Sequence, residues 1–145
     1  MAKRVLLDTC FWFALYEARD AHHEEALILA EDLAFDNLVI PWPCLYETLN
    51  TRFVGRAERL ASFRGLLRRQ NVTLLMDEPY RERALVSVFE PRRGGMQVSL
   101  VDAVIREMLR DLSIRLDAMI TFNERDFLDL CAIRNIELFR GRYQA

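Results

Sequence analysis

The sequence predicts an α/β chain: a mostly parallel central sheet of about four to five strands, flanked by helices. Three observations carry this. Short apolar runs of strand length recur between longer stretches of helical spacing. Their order is β-α-α-β-α-α-β-α-α-β-α-β, and helices between successive strands imply parallel pairing. No repeat or linker interrupts the 145 residues, so 1–145 reads as one domain.

Val5-Leu6-Leu7 is a buried strand closed by Asp8-Thr9, so its carboxyl end presents Asp8. Helical spacing runs from Phe11 to about Leu33, and Asp20 caps a second helix within it. Leu38 to Pro41 is the second strand. Pro43 suits a first helical turn, and that helix runs from Cys44 to about Val54. Arg56 to Gln70 is the next, with Leu60, Phe63, Leu66 and Leu67 as its apolar stripe. Val72 to Leu75 is the third strand. Pro79 opens a helix that stops near Pro91, before a turn at Arg92-Arg-Gly-Gly95. Ser99 precedes an amphipathic helix through Val104, Ile105, Met108, Leu109 and Leu112. Asp117 to Thr121 is the fourth strand, Asn123 to about Cys131 a short helix, and Ile136 to Phe139 the last strand.

Composition excludes several classes. With 52% apolar and 29% charged residues, five Gly and four Pro, the chain is not disordered, collagenous or low in complexity. No apolar run approaches the roughly 20 residues of a membrane span. The first apolar stretch ends in Asp8 and is no signal peptide. Cys10, Cys44 and Cys131 are odd in number and far apart, which fits a reducing cytoplasm rather than a disulfide framework or zinc knuckle.

The net charge is −2, but its distribution is uneven. Asp8 to Glu47 carries nine acids and one Arg; Arg52 to Arg69 carries six Arg and one acid. A cation site beside a phosphate-binding surface has this pattern, and so does a solvated helix face.

In parallel sheets the carboxyl ends of strands form the functional edge. Asp8 ends the first strand, and Asn123 and Asp126 follow the fourth. Glu47 and Asp102 fall early in their helices. Such a cleft would gather three carboxylates and an amide, all oxygen donors suited to Mg²⁺ or Mn²⁺. A bound cation of that kind lowers the pKa of water and steadies an in-line phosphoryl displacement, so the reaction implied is phosphodiester hydrolysis. Plainer roles stand beside these. Ser99-x-x-Asp102 is a near capping box, Asn123 can cap a helix, Asp126 can serve a helix dipole, and Glu47 can face solvent. Asp8 is hardest to dismiss, because a desolvated acid needs a partner.

Other chemistry has little support. His22 and His23 are neighbours, about 100° apart on a helix, and make a poor metal pair. Gly94-Gly95 lacks the Lys-Ser/Thr of a phosphate loop, and no nucleophile elbow is present. Cys10 follows Asp8-Thr9 and could lie near a site, but Phe11, Trp12 and Phe13 beside it suggest core, and the cluster Phe11, Trp12, Phe13 and Tyr16 reads as packing.

Four pieces in order, Val5-Leu-Leu-Asp8-Thr9, Tyr46-Glu47-Thr-Leu, Ser99-Leu-Val-Asp102-Ala and Ile120-Thr-Phe-Asn123-Glu-Arg-Asp126-Phe127, resemble the PIN domain. Within it they resemble the VapC type of bacterial and archaeal toxin ribonuclease. Asp20-Ala-His22 is similar to a common stretch of the first helical hairpin. The resemblance spans Val5 to about Phe139 and implies a PIN-like α/β/α sandwich acting as a Mg²⁺- or Mn²⁺-dependent endoribonuclease. Asp8, Glu47 and Asp102 would hold the metal and activate water. Asn123 matches a fourth catalytic position that is often Asp; an amide there keeps an oxygen but loses a charge. Thr9, Ser99, Thr121 and Asp126 would support the acids, the hydroxyls by hydrogen bonds to acids or bound water.

The resemblance further implies a small cognate antitoxin whose C-terminal segment covers the acidic groove, and a homodimer. Trp12, Phe13 and Tyr16 are expected at partner contacts, and Arg64, Arg68 and Arg69 at RNA contacts. Two rivals use the same residues: an RNA-processing or structure-specific nuclease outside a toxin–antitoxin pair, and a catalytically degenerate PIN-like binding module.

Overall fold

A computed structural model describes residues 2–90 and 97–139; the turn expected at Arg92–Gly95 lies outside the described residues. Strand β1 (Arg4–Leu7) is inaccessible along Val5, Leu6 and Leu7, as a strand flanked on both sides and covered on both faces must be. With β2 (Asn37–Pro41), β3 (Val72–Leu75), β4 (Ala118–Ile120) and β5 (Glu137–Phe139), it forms one sheet among the described residues. The order is β3-β2-β1-β4-β5 and every pairing is parallel. The expected fold class is therefore the observed one.

Register places the site. Leu7 pairs with Ile120, and the Asp8 N–H donates to the Ile120 carbonyl at 3.1 Å. The next residues outward, Asp8 and Thr121, thus leave the two central strands side by side.

Helices α1 (Thr9–Tyr16) and α2 (His23–Asp32) join β1 to β2. Next come α3 (Trp42–Thr48), α4 (Thr51–Val54) and α5 (Ala57–Leu67), then α6 (Arg81–Phe89) and α7 (Leu100–Arg110), and finally α8 (Leu128–Arg134). A helix that returns to start a parallel strand ends at that strand's amino end. Hence α7 begins at the carboxyl edge of the sheet, where Asp8 lies, and α5 finishes at the opposite edge.

Several helices differ from the sequence reading: His22 and not Asp20 is the N-cap of α2, a 3-10 turn at Glu78–Tyr80 precedes α6, and α7 ends at Arg110, before the exposed Leu112. The single helix from Cys44 to Val54 is broken into α3 and α4. One side chain causes the break: Asn50 Nδ2 donates to the Glu47 carbonyl, and Asn50 Oδ1 accepts from the Phe53 N–H, both at 3.0 Å. Asn50 so closes one helix and caps the next. The helix expected from Asn123 starts instead as a 3-10 turn, Glu124–Asp126, and α8 runs on to Arg134, ending at Asn135 in the left-handed region with φ 55°.

The core under α1 is aromatic. Phe11, Trp12 and Phe63 meet edge to face at 5.1 Å, and Tyr16 and Phe53 join them. Trp12 is completely buried, so it is a packing residue of this chain and not the partner contact expected for it. Among the described residues, no helix is long and apolar enough to cross a membrane.

Candidate active site

Asp8 is the centre of a dense hydrogen-bond shell. It is the N-cap of α1, with Oδ1 accepting from the Thr9 N–H at 2.8 Å. Its Oδ2 accepts from the Thr121 hydroxyl at 2.9 Å and from the Cys10 thiol at 3.5 Å. The Cys44 thiol approaches Oδ1 at 3.9 Å. Burial pushes the Asp8 carboxyl above the usual carboxylate range; the bonds from Thr121, Thr9 and Cys10 oppose that, and the Asp126 charge adds to it.

Glu47 comes from α3 and is exposed, but its Oε1 accepts from the buried Thr9 hydroxyl at 2.7 Å. Burial and the Asp8 charge raise its carboxyl, against the Thr9 bond. Asp102 lies in the first turn of α7, where Ser99 Oγ accepts from its N–H at 3.2 Å. The cap and the cleft position are therefore compatible. The Asp102 carboxyl is pushed up to about 7, first by burial, then by Asp8, by Asp126 (whose carboxyl also hydrogen-bonds to it) and by Glu47. Asp8, Glu47 and Asp102 thus share one electrostatic neighbourhood, although they are far apart in sequence.

Asn123 and Asp126 sit on the 3-10 turn after β4. The Asn123 N–H donates to Thr121 Oγ1 at 3.0 Å, and its amide group donates to Asp126 Oδ2. Asp126 in turn meets Asp102. The charge lacking at Asn123 is thus present nearby, on Asp126.

Two cysteines reach Asp8, and only Cys44 escaped the sequence reading. Cys10 is not simply core: its thiol donates to Asp8, and its sulfur accepts from the Phe122 N–H at 3.3 Å. Burial and the Asp8 charge push this thiol up to about 12, so it is a neutral donor. The signal for Cys10 was its place two residues after Asp8, in the first turn of a helix. For Cys44 the sequence held none, because only the β1–β2 pairing brings it to Asp8.

The Arg residues divide by edge. Arg68 and Arg69 follow α5 at the amino edge, where the Val72 N–H donates to the Arg69 carbonyl, and Arg64 lies on the last turn of α5. All three are exposed and lie toward the end of the sheet away from the carboxylates. Arg52 in α4 and Arg56 before α5 lie nearer the acidic edge.

Beside Glu47 opens an apolar groove of about 460 Å³. Pro43, Tyr46, Leu85, Leu100 and Val104 line it, with Asp77 and Arg81 paired at 3.0 Å along its wall. Tyr46 is 71% exposed.

A dication fits the donors on chemical grounds. Asp8, Glu47 and Asp102 are hard oxygen donors, and the leading influences raising each are burial and fellow acids. Among the described residues, no three His, Cys, Asp or Glu side chains form a ready-made metal cage.

No family model matches the chain, and no curated protein does. Solved structures do. VapC20 of Mycobacterium tuberculosis, described as a Sarcin-Ricin loop cleaving toxin, aligns with a TM-score of 0.66 and 22% identity, over 86% of this chain and 94% of that one. FitAcB from Neisseria gonorrhoeae aligns with a TM-score of 0.56 and 11% identity, over 94% and 96%. With its parallel sheet and the acids gathered where β1 and β4 end, the chain has the PIN-like α/β/α fold of VapC20.

Proposed function

We propose that this protein is a metal-dependent endoribonuclease that hydrolyses RNA phosphodiester bonds, and the toxin of a type II toxin–antitoxin pair. One observation carries the reading most: Asp8, Glu47 and Asp102, from three separate segments, are each pushed up by burial and by a neighbouring acid, and Asp102 feels Asp8, Asp126 and Glu47 at once. The fold shared with a Sarcin-Ricin loop cleaving toxin supports RNA as the substrate.

In this reading Asp8, Glu47 and Asp102 hold Mg²⁺ or Mn²⁺. The ion, when bound, supplies a more acidic water and positive charge for the phosphate. The chain's own residues do the rest. Thr121, Cys10 and the Thr9 N–H fix the Asp8 carboxylate, so it offers its oxygens in one orientation. The Thr9 hydroxyl fixes Glu47. Asp102, hydrogen-bonded to Asp126 and raised to about 7, holds its proton more tightly than an ordinary carboxyl until positive charge arrives. Asn123 contributes an amide oxygen but no base.

The apolar groove next to Glu47 supports a protein partner, since a small antitoxin segment would bury apolar side chains there while covering the acids. Leu85, Val86 and Phe89, all exposed on α6, offer apolar surface for a homodimer. A reducing cytoplasm suits the free cysteines.

The test is cleavage of a single-stranded RNA by purified protein with Mn²⁺. Activity should vanish with a chelator and fall at least about 100-fold in Asp8→Asn. Equal activity in wild type and Asp8→Asn would overturn the reading. RNA binding without Asp8-dependent cleavage would favour the degenerate binding module.

A further inference from the structure

We propose that His22 is a positioning residue for the acidic edge, acting through Phe122. The proposal rests on the nuclease reading of that edge and adds a residue to it.

The His22 imidazole lies flat against the Phe122 ring, with centroids 4.3 Å apart and planes 3° from parallel. Phe122 is the residue between Thr121 and Asn123. Thr121 donates to Asp8, and Asn123 donates to Asp126. The Phe122 N–H itself donates to Cys10, whose thiol also reaches Asp8. Cys10 and Thr121 thus hold the backbone leaving β4, while the His22 ring packs on the Phe122 side chain.

His22 is well placed to be a fixed wall. Its N–H donates to Asp20 Oδ1 at 2.8 Å, and its carbonyl accepts from the Ala26 N–H at 2.9 Å, which anchors the start of α2. The neighbouring His23 ring sits against the Ala14 carbonyl at 2.7 Å, tying α2 to α1. His22 Nδ1 is buried without a hydrogen bond and faces Glu25 Oε2 at 3.8 Å. A nitrogen left without a hydrogen bond is unfavourable. Nδ1 therefore makes no hydrogen bond that would compete with the stack in holding the ring. Asp20 thus fixes the backbone of His22, whose ring lies on Phe122.

Losing the ring frees Phe122 to turn, and Thr121 and Asn123 with it. Misplacement of catalytic groups lowers turnover more than binding. The full chain is assayed with Mn²⁺ on single-stranded RNA as wild type, His22→Ala and His22→Phe. His22→Ala should lower kcat about tenfold and leave KM within about twofold. His22→Phe, which keeps a flat ring, should recover to within about threefold of wild type. Amide exchange read on the metal-free chains should show faster exchange at Phe122 and Asn123 in His22→Ala, restored in His22→Phe.

Unchanged kcat in His22→Ala overturns the proposal, as does unchanged exchange. Equal impairment of both variants overturns it too, because ring nitrogens and not the ring face would then matter. A wild type lacking Asp8-dependent cleavage would instead overturn the nuclease reading, and the exchange data would still decide the role of His22.

Discussion

The Thr9 hydroxyl donates a 2.7 Å hydrogen bond to Glu47 Oε1, while the Thr9 N–H donates to Asp8 Oδ1 at 2.8 Å. One residue thus ties an acid from the end of β1 to an acid from α3. Replacing Thr9 with Val keeps its shape and its N–H bond but removes the link to Glu47. We expect Thr9→Val to lower kcat/KM about tenfold on RNA and to weaken Mn²⁺ binding, with Thr9→Ser close to wild type. Equal behaviour of Val and Ser variants would show that the hydroxyl does not hold Glu47 for catalysis.

The crowded acids predict a pH-dependent stability in the metal-free protein. Asp102 is raised from 3.8 to about 7, so between these values the folded chain binds more protons than the unfolded chain. Stability then falls as pH rises through that window. The thermal midpoint should be higher at pH 6 than at pH 8 without metal. Asp102→Asn should flatten the slope, and Mn²⁺ should raise the midpoint more at pH 8 than at pH 6. The same slope in Asp102→Asn would place the raised carboxyl elsewhere.

The strands and their parallel pairing were legible because buried parallel strands leave a plain record: short apolar runs separated by helical stretches, the first of them closed by Asp8. Asp8 could be read at an edge for that reason. The role of Asp126 could not be read. A residue three positions on falls about 60° away around an α-helix, but the stretch after β4 is a 3-10 turn, where i and i+3 eclipse. That tighter pitch puts the Asn123 amide on Asp126. The break between α3 and α4 was equally hidden, since it depends on both ends of one Asn50 side chain. Trp12 was legible as core from its aromatic cluster, and it is wholly interior; only the partner contact that the resemblance implied for it fails.

RNA contact by Arg residues should follow the sheet edge. Arg52 and Arg56 lie nearer the carboxylates, whereas Arg68 and Arg69 lie at the amino edge. Charge reversal of Arg52 and Arg56 should weaken RNA binding and reduce the salt slope of log K by about 0.7 for each lost phosphate contact. Reversal of Arg64, Arg68 and Arg69 should do less. The opposite ranking, measured by binding titrations at several salt concentrations, would move the RNA track to the far end of α5.

Asn123 offers a gain-of-charge test. Its amide donates to Asp126, which is already close to Asp102 and raises Asp8. Asn123→Asp replaces that donor with an acceptor and adds a charge to a neighbourhood that has too many. Without metal the variant should melt about 3 °C lower, the shift that roughly 1 kcal/mol produces in a chain of this size. With Mn²⁺ the sign reverses, because a dication is drawn more strongly to one more carboxylate. The metal-induced rise in melting temperature should then exceed that of the wild type. A variant that melts lower but shows no larger rise would leave Asn123 as a partner of Asp126 alone, outside the reach of the ion.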